Sequence, residues 1–323
     1  MKPRRRWPRR LFQGLVILLL LALGGFGWVG SSHLLSPPRR ALQDYHREIL
    51  SDPDRFGLAV EAWTAPGDTP ALIVRASSRP GTATKSRELR RRLAHAPPWR
   101  SAVGTVVLLH GHQGRKEDHL PICERFCAAG FRCILIDLPG HGDHPSRFAT
   151  FGHREAGLLA EIRASVDDGH PFFLFGVSQG GAVALQAAAR DPGLWDGVIS
   201  AAAFASLGEI VTDSARQLHP VLRPAAPLVA ASVEAFTFLR AGFLPSAIRP
   251  ADAIRSLDRP VLLIHGDGDR YIPLDHARRL HAALPGTAKA LRIIPGAGHG
   301  RVLAADADNT YAACCEFMLE AAR

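Results

Sequence analysis

Short apolar runs alternate with amphipathic stretches from about residue 55 onward, and Gly or Pro stands at most junctions. Runs rich in Val, Ile and Leu predict strands, many of them buried on both faces, and the longer amphipathic stretches predict helices. The predicted strands are Gly57–Trp63, Ala71–Ala76, Thr105–His110, Arg132–Asp137, Phe172–Gly176, Gly197–Ala201, Pro260–His265 and Ala290–Ile294. The predicted helices are Glu117–Ala129, Arg154–Asp167, Gly180–Arg190, Asp275–Leu284 and Val302–Ala322.

Strands that alternate with helices predict an α/β domain with a mostly parallel sheet of eight strands, over about residues 55–323. The first two strands have no helix between them, so they are expected to form an antiparallel hairpin at one edge. A short helix and a linker are expected in residues 31–54.

Two stretches interrupt this alternation. Residues 77–101 hold Lys85, Arg87, Arg90, Arg91 and Arg92 against a single acid, Glu88. They predict a solvated insertion or, alternatively, a patch against anionic lipid headgroups. Residues of about 207–256 are apolar helical segments broken by prolines, and they predict a helical lid inserted into the α/β domain.

The N-terminus carries the signature of a membrane anchor. Residues 1–10 are a basic tip, and residues 11–30 are an uncharged run of the length that spans a bilayer. The positive-inside rule keeps the tip in the cytoplasm, so we expect a single-pass protein of the cytoplasmic membrane with its main domain on the periplasmic side. A cleaved signal peptide is the alternative.

The net charge of +9 is explained by that tip. The first ten residues hold six of the 39 basic residues and no acid, so the other 313 residues carry only three more basic than acidic residues. We therefore expect no nucleic-acid partner.

Five cysteines occur without a C-x-x-C pair, which removes the basis for a zinc ribbon or a thioredoxin-like site. Buried thiols are expected, and a disulfide between Cys127 and Cys133 is possible in an oxidising compartment.

A serine on a strand-to-helix turn is the strongest chemical signal. Phe172–Gly181 reads FFLFGVSQGG, which places G-x-S-x-G around Ser178 between a buried strand and an alanine-rich helix. Small residues on both sides let the serine present its oxygen above the sheet.

A serine nucleophile needs a base and an acid that orients the base. Two later strands are followed by Asp267 and Asp269 and by His299, at the sheet edge where Ser178 is expected. Asp269 is the preferred acid, because Asp267 is closer to the strand and is expected only to cap the turn. Backbone N–H groups of His112, in the glycine-rich loop after another strand, and of Gln179 could hold an oxyanion.

These motifs resemble those of the α/β-hydrolase superfamily, in order: His110-Gly111, Asp137-Leu138-Pro139-Gly140-His141-Gly142, the turn at Ser178, the run ending in Asp269, and Gly298-His299. The resemblance implies an α/β-hydrolase fold, a Ser178–Asp269–His299 triad, and a cap at about residues 207–256. The branches that it resembles most are esterases, lysophospholipases and serine aminopeptidase-like hydrolases.

No metal or other cofactor is expected, because the spacing from His110 and His112 to Asp118 and His119 does not fit a metallo-hydrolase motif. The leading hypothesis is a membrane-anchored serine hydrolase acting on a small or lipid-like carboxylic ester. The alternatives are an acyltransferase or thioesterase with the same triad, a serine peptidase, and a catalytically silent binding protein.

Overall fold

The computed structural model describes residues 7–166, 168–218 and 220–323. Lys2, Arg4, Arg5 and Arg6, which make up most of the predicted basic tip, lie outside the described residues, as does Asp167 at the end of one predicted helix. The chain divides into two compact units. One holds the residues as far as Leu35 together with Leu207–Ile248, and the other holds Ser36–Ser206 together with Arg249–Arg323.

The larger unit is built on one sheet of eight strands in the order β1-β2-β4-β3-β5-β6-β7-β8. The strands are β1 (Leu58–Ala65), β2 (Thr69–Ala76), β3 (Gly104–Leu109), β4 (Phe131–Ile136), β5 (Phe172–Val177), β6 (Gly197–Ala201), β7 (Val261–Gly266) and β8 (Lys289–Ile294). Neighbours from β4 across to β8 pair in parallel, whereas β2 is antiparallel to both β1 and β4. The predicted edge hairpin and the mostly parallel sheet are therefore confirmed.

Helices precede, connect and follow these strands. They are α2 (Asp44–Ser51), α3 (Lys85–Arg92), α4 (Leu120–Ala128), α5 (Glu155–Ser165), α6 (Gln179–Arg190), α9 (Pro250–Ala253), α10 (Leu274–Ala283) and α11 (Ala307–Ala321). Every residue of β3 and β6 is buried, which explains why these strands are runs of small and apolar side chains without alternation.

The arginine-rich stretch contains α3, a helix that the sequence analysis did not predict. Leu89 and Leu93 are buried in the core, and the Arg90 guanidinium donates to the carbonyls of Pro97 and Ala128, both at 2.8 Å. The expectation of a solvated insertion is therefore wrong for the inner face of α3. Most residues of α3 are charged, so the few apolar positions that pack did not give a recognisable helical pattern.

All five cysteines are buried free thiols. The Sγ atoms of Cys127 and Cys133 lie 4.0 Å apart, about twice the length of a disulfide bond. The possible disulfide between them is not formed, and the expectation of buried thiols is met. Burial in apolar surroundings raises the pKa of both thiols, which makes them poor nucleophiles.

The smaller unit contains α1 (Trp7–Leu35), α7 (Leu207–Gln217) and α8 (Ala226–Ala241). Among the described residues, α1 is long and apolar enough to cross a membrane, a property that N-terminal signal sequences share. It extends beyond the predicted span of residues 11–30 at both ends. The insertion belongs to this unit as far as Ile248, whereas the predicted lid ran to about residue 256.

Candidate active site

Ser178 lies on a strained turn between β5 and α6. Its backbone has φ 55° and ψ −116°, in a region that side-chain-bearing residues rarely adopt. The turn is tight enough that a Cβ atom on Gly176 would lie 2.2 Å from the Gly180 carbonyl oxygen. One on Gly180 would lie 2.1 Å from the carbonyl oxygen of Leu109. The glycines on both sides of Ser178 are therefore a steric requirement.

His299 bridges Ser178 and Asp269. Its Nε2 lies 3.0 Å from the Ser178 Oγ, and its Nδ1 lies 2.7 Å from Oδ2 of Asp269. A carboxylate can only accept, so Nδ1 carries the proton and donates it to Asp269. That tautomer leaves the lone pair of Nε2 facing the serine hydroxyl.

The Asp269 carboxylate is buried and accepts several hydrogen bonds. Its Oδ1 accepts from the backbone N–H groups of Tyr271 and Ile272, both at 2.9 Å. Burial by itself raises the pKa of Asp269, but the hydrogen bonds from His299 and from the Ile272 N–H outweigh it, and the net pKa is lowered. Asp269 is therefore charged at neutral pH. Asp267 instead accepts from the Gly296 N–H at 2.6 Å, which fits the predicted turn cap.

The glycine-rich loop after β3 lies beside Ser178. A Cβ on Gly111 would touch the Cβ of Ser178 at 3.4 Å, and the loop closes through a hydrogen bond from Gly114 N–H to Gly111 O at 2.9 Å. The ring of His112 stacks on Phe151, with 5.8 Å between centroids. The structure thus brings this loop to the serine.

Gln179 is the first residue of α6, so its backbone N–H is one of those that a helix leaves without an internal partner. Its side chain is 1% exposed, and neither amide atom has a hydrogen-bond partner among the described residues. Buried side-chain amides usually have hydrogen-bond partners, so this unpaired amide directly after the serine is unusual.

A buried ionic cluster, which the sequence analysis missed, joins the glycine-rich loop to the loop after β4. Lys116 Nζ lies 2.9 Å from Asp137 Oδ2, 2.7 Å from Asp143 Oδ2 and 3.1 Å from Glu117 Oε1. Arg115 adds contacts to Glu117 and Asp143. The run Arg115-Lys116-Glu117-Asp118 is the part of the sequence that could have indicated this cluster. Four charged residues in a row are equally typical of a solvated turn, so the run did not distinguish the two.

Replacing Lys116 by methionine is expected to lower the free energy of unfolding by about 3–5 kcal/mol, because Asp137 is fully buried and would lose its counter-charge. Urea denaturation followed by circular dichroism measures this change. The exposed ion pair of Arg75 and Glu61 provides the control. Arg75→Met should lower the free energy of unfolding by less than about 1 kcal/mol. Equal losses in the two variants would contradict the inferred role of the cluster.

Three comparisons place the chain among known proteins. The model of the alpha/beta hydrolase family matches residues 106–313, which include Ser178, Asp269 and His299. A monoacylglycerol lipase from Mycolicibacterium smegmatis is 26% identical over 227 residues, which are 61% of this chain and 81% of the lipase.

Solved structures share the fold at low sequence identity. An esterase from Pyrococcus furiosus has a TM-score of 0.60 at 15% identity, covering 89% of this chain and 98% of the esterase. A membrane phospholipase A, described as a bacterial virulence factor, has a TM-score of 0.55 at 18% identity, covering 97% of this chain and 99% of the phospholipase. The eight-stranded sheet is thus the α/β-hydrolase sheet. Because the family match spans well over half of the sequence, this chain belongs to the alpha/beta hydrolase family.

Proposed function

We propose that the protein is a membrane-anchored serine hydrolase that cleaves a carboxylic ester through an acyl-enzyme on Ser178. The observation that carries this proposal is the position of His299. One ring nitrogen lies 3.0 Å from the Ser178 hydroxyl and the other lies 2.7 Å from the buried Asp269 carboxylate. A base within hydrogen-bond reach of a nucleophile and oriented by an acid is the arrangement that activates serine.

The reaction has two halves. Ser178 Oγ attacks the ester carbonyl carbon while its proton moves to His299 Nε2, and Asp269 stabilises the imidazolium. The tetrahedral intermediate collapses, the C–O bond to the alcohol breaks, and the alcohol leaves with the proton from His299. Water then attacks the acyl-enzyme with His299 as base, which releases the carboxylic acid and restores Ser178.

Negative charge develops on the carbonyl oxygen in both halves. The backbone N–H groups of His112 and Gln179 are proposed as its donors, since one belongs to the loop beside Ser178 and the other begins α6. Removing one oxyanion donor typically costs about 3–4 kcal/mol of transition-state stabilisation. Because the α6 N–H groups carry the positive end of the helix dipole, they favour an anion at this position.

The proposed location is the cytoplasmic membrane. We propose that α1 is retained as a single-pass anchor, with the basic residues before it in the cytoplasm and the α/β domain on the periplasmic side. The apolar length of α1 supports this, and so does the lipase among the relatives. An anchor brings the site near esters that partition into a bilayer, so lipid-like carboxylic esters are the proposed substrates.

A fluorophosphonate probe tests the nucleophile directly. It is expected to modify the full-length protein in detergent at a single serine, and mass spectrometry should map the adduct to Ser178. His299→Gln should slow the labelling by at least about 100-fold, because general-base catalysis contributes about 10²–10⁴-fold. His95→Gln, a change of an exposed histidine, should label at the parent rate. Labelling at another serine would refute the assignment.

A further inference from the structure

A side chain that the proposed mechanism does not use lies in the loop beside Ser178. Only the backbone N–H of His112 is proposed as an oxyanion donor, yet its half-buried imidazole has a ring on two sides. It stacks on Phe151, with 5.8 Å between ring centroids and 24° between the planes. It meets the ring of His141 edge-on, at 5.6 Å and 80°. Because ring pairs prefer defined orientations, the two contacts restrict how the backbone of His112 can turn.

Both of these neighbours belong to the segment that follows β4, and both are buried. His141 is fixed by its own turn. Its backbone N–H donates to the carbonyl of Leu138 at 3.0 Å, and its Nδ1 donates to the carbonyl of Pro139 at 3.0 Å. The position of the other neighbour, Phe151, depends on residues that are farther away in the chain.

Phe151 has an unusual backbone conformation. Its φ is 54°, in the left-handed region that bulky side chains rarely adopt, and Gly152 follows with a φ of 107°. A Cβ on Gly152 would lie 2.3 Å from the Nε2 of Gln186, so this position requires glycine. Strained backbone of this kind persists only where the surrounding structure imposes it, and it is concentrated at functional sites.

Two polar side chains hold the turn at residues 150–152. The fully buried carboxylate of Glu155 accepts from the N–H and the hydroxyl of Thr150, at 2.9 Å and 2.6 Å, and from the N–H of Gly152 at 2.8 Å. Gln186 is half-buried, and its Nε2 donates to the carbonyl of Phe151 at 2.8 Å. The strained conformation of Phe151 is therefore fixed from both sides.

Gln186 connects this turn to the helix that begins after the nucleophile. It lies in α6, whose first residue is Gln179. The ring of Phe151 thus contacts the residue that carries one proposed oxyanion donor, while the carbonyl of Phe151 is bonded to the helix that carries the other. Stabilisation of an oxyanion depends on donors that are held in place before the reaction begins, and this connection provides such a constraint.

We propose that Phe151 is a positioning residue of the active site, whose ring holds the backbone N–H of His112 toward the carbonyl oxygen of the substrate. The inference rests on the serine hydrolase proposed above. Phe151 acts through His112 and need not touch the reacting atoms. An oxyanion donor acts where negative charge develops in the transition state, so its displacement lowers kcat more than it raises KM.

Phe151→Leu tests this role, because it removes the stacking surface and keeps an apolar side chain. For a short p-nitrophenyl ester, kcat should fall by about 10- to 100-fold and KM should change by less than about threefold, since a small misplacement of a catalytic group costs up to about 100-fold. A reversible trifluoromethyl ketone forms a tetrahedral adduct with a nucleophilic serine. Its inhibition constant should rise by the same factor as kcat/KM falls.

Phe131→Leu is the matched control. Phe131 is 2% exposed, against 3% for Phe151, and it is the first residue of β4, at the sheet edge opposite the loops around Ser178. Both changes make a core side chain smaller, so urea denaturation should show similar losses of stability. Phe131→Leu should leave kcat and the inhibition constant within about threefold of the parent. Equal losses of kcat in the two variants would overturn the proposal.

Gln186→Met tests the same role without changing a ring. It removes the hydrogen bond to the Phe151 carbonyl and keeps the length of the side chain. It should lower kcat by about 3- to 10-fold, less than Phe151→Leu does, because the ring remains. In the double variant the loss should not exceed that of Phe151→Leu alone, since both changes act through one contact. An unchanged kcat in Gln186→Met, or additive losses, would refute the connection through Phe151.

The parent protein separates this inference from the proposed function. If the parent hydrolyses the ester and the fluorophosphonate labels Ser178, but Phe151→Leu has the kcat of Phe131→Leu, the role of Phe151 is refuted and the hydrolase stands. If the parent does not hydrolyse the ester and Ser178 is not labelled, the proposed function and this inference both fail.

Discussion

Alanine in place of Ser178 is expected to lower kcat/KM for a short p-nitrophenyl ester by about 10⁴- to 10⁶-fold, with the fold retained. The hydroxyl is the only group lost, and His299 and Asp269 keep their contact at 2.7 Å. Because the three groups of the proposed triad are expected to act as a unit, removing its nucleophile should leave only binding and oxyanion stabilisation. Initial-rate kinetics on the purified full-length protein measures the loss.

Ser200→Ala is the matched control for this change. Ser200 is a buried serine of the adjacent strand β6, and its hydroxyl has no hydrogen-bond partner among the described residues. Its removal should alter kcat/KM by less than about threefold, in line with the small effects expected away from functional groups. Residual activity of Ser178→Ala within tenfold of the parent would exclude Ser178 as the nucleophile.

The same variants separate the remaining reaction classes. A series of acylglycerols, lysophospholipids, thioesters and aminoacyl amides is offered to the parent and to Ser178→Ala. Preference for oxygen esters with water as the acceptor supports the proposed hydrolase. Transfer to an added alcohol, preference for thioesters or cleavage of amides would instead identify an acyltransferase, a thioesterase or a peptidase. No turnover of any substrate would indicate a binding protein.

Acidification from pH 7 to pH 5 is expected to lower the free energy of unfolding by about 6 kcal/mol through three buried histidines. Burial lowers the pKa of His110 to about 3, of His119 to about 4 and of His141 to about 2. In the unfolded chain each histidine titrates near 6.5. Below that pH the unfolded chain binds three protons, whereas the three histidines of the folded protein stay neutral. The free energy of unfolding therefore falls as the pH falls.

The hydrogen bonds of His110 and His141 agree with the expected loss of stability at low pH. His110 Nε2 accepts from the N–H of Leu138 at 3.0 Å, so a proton there would remove the acceptor. His141 Nδ1 lies 3.0 Å from the carbonyl of Pro139 and must donate to it. Its Nε2 is buried without a partner among the described residues, so a second proton would be unsatisfied.

Urea denaturation at pH 7, 6 and 5 measures how the free energy of unfolding depends on pH. His141→Gln should reduce the loss between pH 7 and 5 by about a third, whereas His95→Gln, at an exposed position, should retain it. An unfolding free energy that does not change between pH 7 and 5 would contradict the neutral state of these histidines.

The strands were predicted within about two residues. The central strands are buried on both faces and are therefore continuously apolar, whereas the edge strands β1 and β8 are only partly buried. Helix α3 was missed for the opposite reason. Its stability comes from Leu89, Leu93 and the contacts of Arg90, and these are too few among the charges to give a periodic signal. The ionic cluster around Lys116 was missed because its partners Asp137 and Asp143 come from another loop.

The sequence by itself determined the alternation of strands and helices, the glycine-flanked turn at Ser178 and the order of the serine, the acid and the histidine. These are local properties, set by side-chain periodicity and by the steric demands of a tight turn. Only the tertiary structure decided that His299 contacts both Ser178 and Asp269 and that Cys127 and Cys133 remain free thiols. It also decided that Arg240 donates hydrogen bonds to the hydroxyls of Ser31 and Ser32 in α1. Each of these depends on distances between groups far apart in the chain, and chain folding fixes those distances where local pattern cannot.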